Sequence, residues 1–473
     1  MSECESPQTE FDPGSFRDRS ARILRSGNDV FRLINATGLS DWHHLVKCGL
    51  ASQLMTDGTL VPTKEIADPE KRLAGTDAVA SGFCSVLQHE CIPLISYPWE
   101  WTFRMLKDAA VLQLQLMIEA LQVGMILKDA SPFNIQFRGA RPIFIDTSSF
   151  AALRPGQAWE GYRQFCQMFL FPLMLQAWHG IDFQMFLRGS LEGISPQLMW
   201  KMLTLRDLFR RGALTHVFLH SRLSTGNQTQ QRVPESLQAS GFSGDLIIHN
   251  VRNLLKLVNG MKWMAAWSQW SEYDQTAAPV KNDSADKEQF VTCVMEQRRR
   301  SCVWDIGCNR GRYSRLAAQH ADLVVAMDSD HLTVDLLYRS LHRERIDNIV
   351  PLVFNIADPS PAQGWRCRER SALWDRSHPD LILVLAVIHH LVFRENLLLQ
   401  DVISWLADFR AELVLEYVDK SDPQVQQLLA NRPDQYTDYS RENFEHLIQR
   451  YFSIRARKEL SGGTRCLFHL QPI

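Results

Sequence analysis

The sequence predicts an α/β protein, and three observations in its C-terminal part carry that prediction. From Ser301 onward, short apolar runs alternate with helical patterns. The first run, Cys302-Val303-Trp304-Asp305, enters the tight turn Ile306-Gly307-Cys308-Asn309-Arg310-Gly311, and the second run ends in Asp328. Glycines at 307 and 311 let backbone approach a ligand where a Cβ would clash. A glycine turn after strand one and a carboxylate after strand two is how an open parallel sheet holds a nucleoside at the carboxyl ends of its strands.

Taken in order, residues 1–18 are polar and read as a disordered N-terminus without an apolar signal segment. Short β-like runs follow up to Trp101. Apolar residues at helical spacing then predict a helix over 102–123, with Gly124 as its stop. Residues 143–146 form another strand, and 159–223 are mostly helical in pattern. The Ser, Gln and Gly content of 224–244 marks a linker. A connecting helix over 246–267 carries on to Trp270 and Tyr273, and a second polar linker covers 276–286. The predicted domains are an α+β region over 19–223, a linker with its helix over 224–286, and an α/β domain over 287–473.

In that last domain the strands fall at 302–305, 323–327, 349–354, 381–385, 413–416, 452–456 and 465–470. Helices lie between them over 313–320, 333–343, 397–408 and 441–450. Gly462-Gly463 turns the chain into the final strand. The pattern predicts a seven-stranded, mostly parallel sheet with one antiparallel strand.

With 473 residues, 45% hydrophobic and 22% charged, the chain is of globular composition and long enough for two or three domains. A formal charge of −2 gives no global attraction to nucleic acid or to anionic membranes. The clusters Arg298-Arg299-Arg300 and Arg366, Arg368, Arg370 read as solvated surface. Ten scattered cysteines without a Cys-x-x-Cys pair suggest neither zinc nor a disulfide framework, in keeping with a reducing, cytoplasmic setting. The most apolar stretch, 165–181, is broken by Gln167, Pro172, Gln176 and His179, which suits buried helices better than a membrane span.

The order Asp305-x-Gly307-x-Asn309-x-Gly311, Asp328, Asn355-Ile356 and Ile388-His389-His390-Leu391 resembles the class I S-adenosylmethionine-dependent methyltransferases over roughly residues 287–473. A dinucleotide fold would want Gly-x-Gly-x-x-Gly instead. The resemblance implies a Rossmann-like sheet with S-adenosylmethionine as cofactor. Gly307 and Cys308 would hold the methionine moiety, Asp305 would support the turn or meet its amino group, and Asp328 would accept the ribose hydroxyls. Asn355 and Ile356 would contact adenine, with Asp358 sharing that task. Asp328 as a helix cap and Asp358 as a turn residue remain open readings. His389 and His390 fall where such enzymes act on the acceptor, either as a general base or as pocket lining. Glu416 is placed to orient a histidine, and the 436–439 stretch with Trp270 and Tyr273 either closes over the pocket or packs in the core. A small molecule or a saccharide is the expected acceptor.

A second constellation, Asp129-x-x-x-x-Asn134 followed by Asp146 at a strand end, resembles the catalytic loop and metal aspartate of protein-kinase-like phosphotransferases. The chain departs from that pattern. There is no Gly-rich loop upstream, Leu127-Lys128 stands before the Asp, and only Lys64 is a candidate for the nucleotide-pairing lysine. The implied domain is kinase-like but degenerate, and it serves binding or scaffolding. An active phosphotransferase using Asp129, Asn134 and Asp146, or a regulatory binding protein, is the alternative function. The pairing of the two parts resembles bacterial nodulation-protein-like methyltransferases.

Overall fold

The computed structural model describes residues 9–68, 82–218, 244–264, 281–430 and 435–473. The chain forms two compact units that interleave in sequence. The first contains Met1–Phe137, Pro142–Met264 and Pro361–Ala372; the second contains Arg138–Arg141, Ala265–Ser360 and Leu373–Ile473.

The first unit opens with strands β1 (Thr9–Phe11), β2 (Ala21–Ser26) and β3 (Asp29–Ile34), then helix α1 (Ala36–Lys47), β4 (Thr63–Glu65) and β5 (Ser85–His89). These strands make an antiparallel sheet in the order β1-β2-β3-β5-β4. Leu24, Phe31, Leu33 and Val86 are buried together on it. Helix α2 (Phe103–Gln122) follows. Thirteen of its twenty residues are buried, so it lies in the core. The Thr102 side chain accepts from the Met105 amide at its start, and Gly124, at φ +74°, lets the chain turn away at its end. Next, β6 (Met125–Leu127) pairs antiparallel with β9 (Phe150–Ala152), and between them in the chain lies the hairpin of β7 (Ile135–Arg138) with β8 (Arg141–Phe144).

Three expectations are corrected here. The N-terminus is not disordered up to residue 18: β1 pairs with β2, and Asp12 holds Arg25 at 2.9 Å. Its polarity concealed a strand whose partner lies further along the chain. The helix expected as a connector, α3 (Gly244–Gly260), belongs to the first unit. The buried Lys107 ammonium on α2 donates to the carbonyls of Asn259 and Met261 at 2.9 and 2.8 Å, closing the negative end of α3. Finally, residues 361–372 of the expected C-terminal domain complete the first unit. Arg17 makes a bidentate pair with Glu369 at 2.8 and 2.9 Å, and the Arg370 guanidinium lies 4.1 Å from the Phe133 ring centre.

The second unit runs α4 (Lys281–Met295), β10 (Arg300–Ile306), α5 (Arg312–Ala318), β11 (Ala321–Asp328), α6 (His331–Glu344), β12 (Ile349–Val353) and β13 (Leu381–Val384). Then come α7 (Ile388–Phe393), α8 (Leu399–Asp408), β14 (Glu412–Val418), α9 (Arg441–Gln449), β15 (Phe452–Glu459) and β16 (Arg465–Pro472). The sheet order is β12-β11-β10-β13-β14-β16-β15. All neighbours are parallel except β16, which is antiparallel to both β14 and β15. This is the expected seven-stranded sheet, in the strand order 3-2-1-4-5-7-6. The central strand β13 is wholly buried, as befits a parallel sheet covered on both faces. Helix α4 already begins at Lys281, inside the expected linker; Trp270 and Tyr273 lie outside the described residues.

The basic run before β10 is only partly solvated. Arg298 and Arg299 are exposed, but Arg300 is 1% exposed and donates to Glu412 at 2.9 Å. Arg298 and His469 reach the same carboxylate at 3.2 and 3.0 Å. Burial alone would raise the Glu412 pKa, but the Arg300 and His469 hydrogen bonds and the neighbouring guanidinium charges bring it down to about 2.

Candidate functional site

Strand order reverses between β10 and β13, and the crevice at their carboxyl ends is where an open α/β sheet takes its ligand. A cavity of about 830 Å³ lies there. Its walls come from the β10 turn, the end of β11, Asn355 and Ile356 after β12, and residues 385–395 after β13. Residues on α4, near 422 and around Arg465 close the other side.

The β10 turn is built to leave this space open. Gly307 has φ +73°, and a Cβ on it would sit 2.4 Å from Cγ2 of Val387. Asn309 also takes a left-handed conformation, φ 48°, and Gly311, φ +76°, caps α5. The amides of Gly307 and Cys308 both donate to the Met327 carbonyl, at 2.8 and 3.0 Å, and the Gly311 amide donates to Cys308. These amides are therefore spent on the fold; what the turn offers a ligand is its carbonyl edge and its Cβ-free face.

Asp328 ends β11 on the cavity wall. One carboxylate oxygen accepts from the Asn309 amide at 2.9 Å and the other from the Asp330 amide at 3.0 Å. A carboxylate has about four acceptor positions, so capacity remains for a pair of hydroxyls. Burial raises its pKa, and the backbone donors counter that rise. The cap of α6 falls to Asp330, whose side chain accepts from Thr333, so Asp328 is not that cap. The Asn309 side-chain oxygen is buried at the same wall and has no hydrogen-bond partner among the described residues. A carboxylate with spare acceptors, a Cβ-free turn and an orphaned amide oxygen fit a ribonucleoside.

Four predicted site residues stand off the wall. Asp305 is buried beneath the turn, accepts a 2.5 Å hydrogen bond from Ser314 Oγ, and is pushed up to about 6 by burial. It supports the turn and does not line the cavity. Gly311 serves α5. Asp358 is exposed, and its amide closes a turn on Asn355. His389 is fully buried, and among the described residues neither ring nitrogen has a hydrogen-bond partner. His390 does line the cavity, its ring 4.1 Å from that of His389. Burial first, and then the charges of Arg394 and Arg465, lower the His390 pKa to about 4; burial takes His389 well below its usual value.

Glu416 does not orient a histidine. It is completely buried and paired with Lys287 on α4 at 2.7 Å and with Arg465 at 3.3 Å. Arg465 also clasps Asp422 at 2.8 Å. Lys287, Asp422 and Arg465 line the cavity, and the sequence reading missed all three. No local pattern marks them, because they meet from α4, the helix cap that follows β14 and the start of β16. Tyr436 and Tyr439 pack on Phe393 in the core, with ring centres at 5.0 and 4.6 Å, and do not close over the pocket.

In the first unit, Asp146 is already matched by a cation of the chain itself. Arg32 on β3 donates to it at 2.7 Å and to Ser148 and the Ile145 carbonyl as well. Asp129 is raised to about 6, by burial and then by the Asp146 charge. Among the described residues no group of three or more His, Cys, Asp or Glu side chains is placed to hold a metal ion. Asp146, the carboxylate expected to hold magnesium, is engaged by the Arg32 guanidinium instead, and in that pairing it does not fit the metal that phosphotransfer would need. Lys64 lies exposed on β4.

No protein-family model matches the chain. The nodulation protein NoeA of Rhizobium meliloti (strain 1021) is 31% identical over 459 residues, which cover 96% of this chain and 94% of that protein. The chain belongs to the NoeA family of nodulation proteins. Among solved structures, the N-methyltransferase NodS from Bradyrhizobium japonicum WM9 is similar over 42% of this chain and 99% of its own, at 15% identity and a TM-score of 0.30. The magnesium protoporphyrin IX methyltransferase ChlM from Synechocystis PCC 6803, with bound SAH, covers 42% and 90% at 18% identity and a TM-score of 0.31. Among the described residues of this NoeA relative, no helix is long and apolar enough to cross a membrane.

Proposed function

We propose that this member of the NoeA family is an S-adenosylmethionine-dependent methyltransferase acting on a polar acceptor. The observation that carries the reading is Asp328, a carboxylate with acceptor capacity to spare, facing the glycine turn at the point where strand order reverses. When bound, S-adenosylmethionine supplies a methyl group activated on a sulfonium. Asp328 holds the ribose hydroxyls, Asn355 and Ile356 flank the base, and the carbonyl edge of the β10 turn meets the ammonium group. Methyl transfer is a displacement that depends chiefly on alignment. His390 is neutral at pH 7 and so accepts a hydrogen bond from the acceptor's attacking group; with its basicity lowered, it orients more than it deprotonates.

The acceptor side of the cavity is polar: Lys287, Tyr313, Asp422, Gln424, Thr464 and Arg465 face it. The Lys287–Glu416–Arg465–Asp422 set is balanced in charge, which favours a hydroxyl-rich small molecule or saccharide over a strongly charged one. The first unit reads as a kinase-like scaffold without phosphotransfer, because Arg32 occupies Asp146.

Calorimetric titration with S-adenosylmethionine and S-adenosylhomocysteine tests the reading. Micromolar binding is expected, weakened about tenfold or more, some 1.4 kcal/mol, by Asp328→Ala. Asp358→Ala is expected to leave it unchanged. Failure of the folded wild-type protein to bind either compound would overturn the assignment.

A further inference from the structure

A second cavity, of about 690 Å³, lies in the same unit. It touches the first at Ile356 and Leu391, which line both. Its walls are aromatic and acidic: Trp374, Trp405 and Phe409 with Asp401 and Asp408, and His378 at one side. Among the described residues no lysine or arginine lines it.

One face of α8 sets this chemistry. Asp401, Trp405 and Asp408 stand at i, i+4 and i+7, so the carboxylates flank the indole along one stripe. The opposite stripe, Leu399, Val402, Ile403 and Leu406, is buried. Trp405 is only partly buried, and Phe409 meets it edge-on at 5.0 Å. Asp401 and Asp408 are exposed, and among the described residues neither carboxylate is neutralised by an ion pair or a side-chain hydrogen bond. Asp408 closes the last turn of α8, where the helix dipole is negative and a cation would be favoured; no basic residue occupies that turn. The pocket thus gathers negative potential beside the partly exposed rings of Trp374 and Trp405, an arrangement that attracts a cation with apolar surface.

We propose that this second cavity binds an organic ammonium ion, its charge drawn by the field of Asp401 and Asp408 and its apolar body against Trp405 and Trp374. The proposal does not draw on the methyltransferase reading. Calorimetric titration of the full chain with benzyltrimethylammonium chloride, beside benzyl alcohol as the uncharged aromatic control, tests it. Saturable binding of the cation is expected, with the alcohol about tenfold weaker or more. The paired substitution Asp401→Asn and Asp408→Asn, on exposed positions at opposite ends of α8 where the helix dipole acts on the two charges with opposite sign, is expected to weaken the cation about tenfold with little change in the melting temperature. Trp405→Leu is expected to weaken it as well. Equal binding of the alcohol would reduce the site to an apolar pocket and overturn the proposal. Wild-type affinity in the paired variant, or no saturable binding by the folded wild-type chain, would do the same.

Discussion

His389 and His390 are neighbours in sequence with different surroundings. One is sealed in the core with both ring nitrogens unsatisfied; the other reaches the cavity. Their folded pKa values lie below the unfolded value of 6.5. On acidification the unfolded chain takes up protons that the fold refuses, so this stability is complete above about pH 6.5 and falls as pH drops toward 4. Asp305, raised from 3.8 to about 6, acts with the opposite sign: its folded form binds the proton first, adding stability as pH falls from about 6 toward 3.8. His389→Leu removes a buried, unsatisfied group. Its expected outcome is a smaller difference in melting temperature between pH 7.5 and pH 5, with S-adenosylhomocysteine affinity retained. A loss of that affinity would return His389 to the site. The sequence placed the pair correctly after the fourth strand of the sheet but could not separate them, because burial depends on which way α7 rolls against its neighbours.

At the scale of the element, β10 and β14 show what a sequence displays and what it hides. Their apolar runs and the helices between them are periodic, and period is a local property, so the sheet and the β10 turn were readable. The ties between strands were not. Arg300 opens β10 and Glu412 opens β14, and their contact spans 112 residues. The Lys287–Glu416 contact spans 129. Nothing near Arg300 distinguishes it from exposed Arg299. Arg300→Leu leaves Glu412 with one exposed arginine and a histidine, and is expected to destabilise the second unit by about 2 kcal/mol, the cost of losing a hydrogen bond to a charged group. Urea denaturation followed by circular dichroism measures it; Arg299→Leu is the control and should change little.

For the whole molecule, the chain order is not the order of the units. Residues 361–372 lie between β12 and β13 yet complete the first unit, where Glu369 and Arg370 meet Arg17 and Phe133. Melting followed through tryptophan fluorescence should therefore rank the intact chain above Glu369→Ala, and Glu369→Ala above a fragment ending at residue 264. A fragment as stable as the intact chain would contradict this. The same interleaving bears on synthesis. The N-terminal unit leaves the ribosome first but cannot be finished until residue 372 has followed, by which time β10, β11 and β12 of the other sheet are already out. The nascent chain must hold two half-built cores at once, a state prone to misassembly. Slow translation between residues 264 and 372 would prolong that exposure, so the yield of folded protein should depend on the codons in that stretch more than on those in the final strands.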